Sequence, residues 1–158
     1  MKKSLILFSF AFLSLTAYAQ DCKDPDVKLS IDSTLAAYEP CVVRAADNIL
    51  SKPLDFESRE ILNNRALVIN WMDKTPLFTF NLNPMMLEIC IEKSNTELMS
   101  IYLSCLSKCA INNRKDYMEK AVLMFVEYIK GDEHGVKKTS KVKKLLKAAD
   151  EKDLTAYL

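Results

Sequence analysis

The chain predicts an all-α fold, either a single compact helical bundle or a short α-solenoid-like array of five to seven helices. Three observations lead there. Apolar residues recur at spacings of three and four through most of the chain, only one short stretch alternates with period two, and 158 residues contain just two Gly. So few glycines argue against a meander of tight β-turns, and equally against Gly-rich phosphate loops. An apolar fraction of 49% excludes a disordered chain.

Residues 1–19 read as a cleaved signal peptide. Lys2 and Lys3 precede an apolar run, Leu5 to Leu15, and Ala17-Tyr18-Ala19 supplies the small residues that a signal peptidase needs. The run is too short to span a hydrocarbon core about 30 Å thick. Gln20 and Asp21 stand where lipidation of Cys22 would require small residues, which argues against a lipoprotein. No later segment is long and apolar enough to span a membrane, so the expected location is periplasmic or secreted.

Residues 20–33 form an acidic and polar N-terminal arm. The helical domain, 34–158, begins with TLAAYEPCVVRAADNIL, in which Pro40 either kinks one helix or sits near the start of a helix over 40–51. Pro53 closes it. Asp55 or Ser58 caps the second helix, with Ile61, Leu62, Ala66, Ile69 and Met72 as its inward stripe, ending before Pro76. Phe78, Phe80 and Leu82 then alternate with polar residues and read as an extended connector laid over the core, since a lone strand has no partner.

Asn83-Pro84 is a helix start, with the amide as N-cap and Pro in the first turn. The third helix runs to about Lys93 and presents Met86, Leu87, Cys90 and Ile91. Ser94 or Asn95 caps a fourth helix with the clearest stripe, Leu98, Ile101, Tyr102, Cys105, Leu106 and Cys109. The fifth helix, Arg114 to Lys130, is apolar on more than half its circumference and should be the most enclosed, with Gly131 at its C-cap. After the loop 131–135, Thr139 or Ser140 caps a Lys-rich C-terminal helix whose inner face is Val142, Leu145, Leu146 and Ala149.

The run NWMDKTPLFTFNLNP, followed by ELMSIYLSCLSKCAINN and VKKTSKVKKLLKAADEKDLTAYL, resembles a family of small, exported, all-helical bacterial proteins of unknown function. The resemblance covers the chain from about Ile61 onward. It implies fold and export, and no reaction, ligand or site residue.

Five cysteines, Cys22, Cys41, Cys90, Cys105 and Cys109, are candidates for disulfides in an oxidising compartment, and the odd count leaves at least one thiol over. A Cys22–Cys41 bridge would tie down the arm. Cys90 could reach Cys105 or Cys109 if neighbouring helices run antiparallel, whereas all three also fall on apolar stripes where a reduced Cys packs as a small hydrophobe. With no C-x-x-C pair and a single His, zinc, haem and thioredoxin-type chemistry find no ligand set, and no cofactor is expected.

His134, the only histidine, lies between two glycines in a charged loop, read as exposed and mobile and hence poor ground for a general base. Glu88 with Glu92, and Asp116 with Glu119, have the one-turn spacing that a carboxylate pair in a small hydrolase would use, but such pairs ordinarily form solvated surface. Trp71, the tyrosines, the phenylalanines and the methionines sit at core spacing.

Net charge is +1, too close to zero for a generic polyanion binder. The near-neutrality is a cancellation. Residues 20–130 carry 13 basic and 16 acidic side chains, while 131–158 carry seven lysines and five acids. Lys137, Lys138, Lys141, Lys143, Lys144 and Lys147 fall within eleven residues. Such a face could contact anionic lipid headgroups or another acidic partner, or simply remain solvated. It lacks the Arg and interleaved aromatics of a nucleic-acid site. The expected function is therefore a non-catalytic interaction or scaffold module of the cell envelope. A carboxylate-dependent envelope hydrolase and an anionic-membrane-binding protein are the alternatives.

Overall fold

The structure, a computed structural model, describes Cys22 and residues 34–158. The expected signal peptide and most of the expected arm lie outside the described residues. Helix α1 spans Thr34–Leu50, with Pro40 inside it and not at its start. Proline has no N–H to give Ala36, but both residues are exposed, so the vacated carbonyl stands on the wet side of the helix. The inner side of α1 carries Leu35, Tyr38, Cys41, Val42, Ala45, Ala46 and Ile49.

Helix α2, Arg59–Lys74, starts where Ser58 accepts a hydrogen bond from the Ile61 N–H. Its buried side differs from the expected stripe. Ile61, Leu67, Val68 and Trp71 face inward and Met72 is half-buried, whereas Leu62, Ala66 and Ile69 face solvent. Two apolar stripes with helical spacing compete on α2, and the one carrying the bulkier Trp71 is buried against α1 and α4. Residues 75–83 form the expected extended connector, with Phe78, Phe80 and Leu82 half-buried on the core.

Helix α3, Pro84–Cys90, has Asn83 as N-cap, its Oδ1 accepting from the Met85 and Met86 amides at 2.8 and 3.4 Å. It ends earlier than its pattern suggests, and Ile91 is 67% exposed while Ile89 is buried. Helix α4, Leu98–Asn113, lies at the centre, packed against α1, α2, α3 and α5. It, and not α5 (Tyr117–Lys130), is the most enclosed helix. Nine of its residues are buried against six of α5. Ser104 and Ser107 are among the nine, because each hydroxyl donates to the carbonyl four residues back, at 2.7 and 2.9 Å, and enters the core already satisfied.

Gly131 terminates α5 as expected, in an extended conformation (φ −65°) instead of the left-handed one. A Cβ there would lie 2.8 Å from both Glu133 Oε1 and His134 Cδ2, so the close approach of the following 3-10 turn, Asp132–His134, requires glycine. The left-handed residue is Gly135, φ 68°. Helix α6, Ser140–Asp150, is capped by Thr139 and rests on α5 and α3 through Val142 and Leu145. A final 3-10 turn, Thr155–Tyr157, packs on α3. Among the described residues the protein is thus all-α, six helices packed around one core, with no strand.

Candidate functional site

A shallow groove with about 340 Å³ of open space lies where α3, α6 and the terminal turn meet. Ile89 and Tyr157, both nearly inaccessible, line it together with the exposed Met85. Glu88, Lys141 and Lys144 complete the lining. The terminal turn is fastened to the start of α3 by Asn83, whose amide donates to the Ala156 carbonyl at 3.2 Å, so one residue both caps α3 and sets the groove's width. Burial raises the Tyr157 phenol above its ordinary pKa, and it stays a neutral hydroxyl at neutral pH.

The six candidate lysines do not form one surface. Lys138 turns inward, its ammonium on the Ile129 carbonyl at the end of α5. Lys141 is held by Glu88 at 3.1 Å, and Lys147 by Glu151 at 3.6 Å one helical turn on. Lys137, Lys143 and Lys144 are exposed and enter no ion pair among the described residues. Lys143, Lys144 and Lys147 share the outer side of α6, and Lys144 alone also reaches the groove. The arrangement offers apolar carbon below and an uncommitted ammonium at the rim. That chemistry suits an anionic group carried on an apolar stem.

Of the two carboxylate pairs, Glu88 and Glu92 are each taken up by a separate contact. Glu88 is engaged by Lys141, and Glu92, beyond the end of α3, accepts from the Thr139 hydroxyl. Glu88 and Glu92 therefore do not stand one turn apart on a helix. Asp116 is the residue before α5, and Glu119 lies exposed in that helix's first turn.

The His134 side chain is not exposed as expected, although its loop neighbours Asp132, Glu133 and Gly135 are. Its side chain is only 15% exposed and its ring stacks on Tyr128 at 3.9 Å. The Lys52 carbonyl accepts from Tyr128 Oη at 2.9 Å and lies 3.3 Å from His134 Nδ1, while the His134 carbonyl accepts from the Leu54 amide at 2.8 Å. Both side chains are thereby used to lock the α1–α2 connection onto the end of α5. A further fastening was not legible as such: Asn95, 1% exposed, is not a helix cap but exchanges two hydrogen bonds with the Lys137 backbone, at 2.9 and 3.0 Å.

Cys22 and Cys41 form a disulfide, Cα to Cα 5.6 Å. Cys90, Cys105 and Cys109, the other disulfide candidates, are free thiols buried in the core. Burial pushes the Cys90 thiol up to about 12 and raises Cys105 and Cys109 as well. A protonated, enclosed thiol is a packing group and not a nucleophile. Among the described residues no three His, Cys, Asp or Glu side chains are grouped to hold a metal ion, and no helix is long and apolar enough to cross a membrane.

Comparison with protein-family models, with curated proteins and with solved structures returned no match. What stands of the resemblance drawn above is its coarse content, a small all-helical protein.

Proposed function

We propose that the protein is an exported, non-catalytic interaction module of the cell envelope, which holds an acidic, amphipathic segment of a partner protein in the groove between α3, α6 and the terminal turn. The observation that carries this reading is the uncommitted Lys144 ammonium beside the apolar lining of Met85, Ile89 and Tyr157, with Lys143 next to it on α6. A bound segment lays its apolar side on these residues and its carboxylates along Lys143, Lys144 and Lys147. The exposed Met85 supplies the apolar contact, since Ile89 and Tyr157 are already almost wholly covered, and the lysines supply orientation and a salt-dependent on-rate. Export rests on the Lys2-Lys3 start, the Leu5 to Leu15 run and the Ala17-Tyr18-Ala19 site, and predicts a mature N-terminus at Gln20 by intact mass.

A photo-crosslinking amino acid at position 85 tests the reading in the native envelope. The expected product is an adduct that maps to an acidic amphipathic segment and disappears when Lys143, Lys144 and Lys147 are all changed to Glu. An adduct pattern indifferent to that charge reversal overturns it. Sedimentation with phosphatidylglycerol-containing vesicles separates the membrane alternative, because lysine-dependent depletion by vesicles without any peptide adduct assigns the face to lipid instead.

A further inference from the structure

The buried stripe of α2 leaves a second apolar stripe without a partner among the described residues. Leu62 is 52% and Ile69 48% exposed, with the exposed Ala66 between them, so spacings of four and three put all three on one side of the helix. Arg59 stands at the start of this side and Asp73 near its end, both exposed, and neither forms an ion pair among the described residues. Arg59 and Asp73 lie seven residues before and seven after Ala66. Leu62 and Ile69 lie four before and three after it. The two charges are therefore placed symmetrically about Ala66, cation at one terminus and anion at the other, and Leu62 and Ile69 fall within one residue of symmetric positions.

We propose that α2 pairs antiparallel with α2 of a second copy of this chain about a two-fold axis through Ala66. Such an interface is isologous, each residue meeting its symmetry partner's counterpart. Ala66 meets the second copy's Ala66, and its small side chain lets the helix axes approach to the lower end of the usual separation, about 8 Å. Leu62 packs against the second copy's Ile69, and Ile69 against its Leu62. Arg59 faces Asp73 across the axis at both ends, over about 21 Å of helix for the fourteen residues between them at the standard rise. The charge pattern commits the face to a second copy. A partner of unrelated sequence has no reason to match a stripe whose cation and anion are equidistant from its middle. The chain flanking α2 adds apolar exposure at both ends, Phe56 before it and Leu77 after it.

Sedimentation equilibrium of the purified protein tests this, with four variants and one mixture. The wild type sediments as a concentration-dependent dimer. Arg59→Glu and Asp73→Arg each set like charges against one another at both ends and weaken dimerisation by about tenfold or more. Mixing the two single variants in equal amounts restores dimers, because each end then pairs opposite charges again. No monomer-level folding defect can produce that rescue. Ala66→Glu brings two carboxylates together on the axis and abolishes dimerisation, while its melting point matches that of the wild type at dilutions where the wild type is monomeric. A monomeric wild type overturns the proposal, as does a mixture that stays monomeric. So does a large loss of monomer stability in Ile69→Asp, which assigns the face to cover by this chain's own N-terminal residues.

Discussion

Three polar residues buried in the core behave in two opposite ways, and the difference lies in where their hydrogen bonds go. Asn95 joins the residues before α4 to the backbone at Lys137, so Asn95→Ala removes both partners of a part-buried N–H and C=O. A loss of about 2 to 4 kcal/mol is expected in urea unfolding, with faster amide exchange through 136–139. Ser104 and Ser107 bond only to their own helix, and alanine is the better helix former, so the double change to Ala should leave stability within about 1 kcal/mol of the wild type. A sequence shows Asn and Ser as polar letters and says nothing of their partners. Ser94 or Asn95 as an N-cap was the local reading of a residue whose true partner is 42 positions away. His134 is the same case, since its stacking on Tyr128 depends on the chain folding back sharply after Gly131.

At the scale of elements, existence was legible and facing was not always so. The Asn83-Pro84 start, the Ser58 and Thr139 caps and the stop at Gly131 are local chemistry, and each appears where the residues require it. The inward side of α2 depends instead on which of two stripes the neighbouring helices bury, and periodicity alone carries no information about neighbours. Pro40 gives a test confined to one element. The helix already passes through it, so Pro40→Ala restores an exposed N–H donor to Ala36 and should raise the thermal melting point, an unfolding free energy gain of about 1 to 3 kcal/mol. A fall in melting point would mean that the proline's rigidity in the unfolded chain outweighs the missing bond. Of the candidate lysines, the outward set on α6 followed from the helical wheel. The inward turn of Lys138 did not, because its residue precedes the helix and its partner is the end of α5. The groove itself was invisible in the sequence, since Met85 and Tyr157 meet only after α3 and the terminal turn are brought together.

For the whole molecule, the Cys22–Cys41 bridge closes 19 positions of sequence, and its loss through the double change to Ala should cost about 3 kcal/mol on the chain-entropy account. Alkali should act on the core. Cys90 ionises near 9.0 in the unfolded chain and about 12 when buried, so its contribution is complete below pH 9 and drains away as pH rises toward 12. Cys105 and the phenols of Tyr102 and Tyr128 are raised in the same direction by burial, and urea midpoints should fall steadily above pH 9 with little change between pH 6 and 8. A midpoint flat to pH 11 would contradict that burial. The three enclosed thiols also make the protein a recorder of its own openings. A maleimide in the buffer cannot reach Cys90, Cys105 or Cys109 in the folded state, so each adduct marks an excursion. Molecules found with either no adduct or all three would show that the six helices come apart as a single cooperative unit, while an adduct on Cys90 alone would date the separate opening of α3, and adducts on Cys105 and Cys109 alone that of α4.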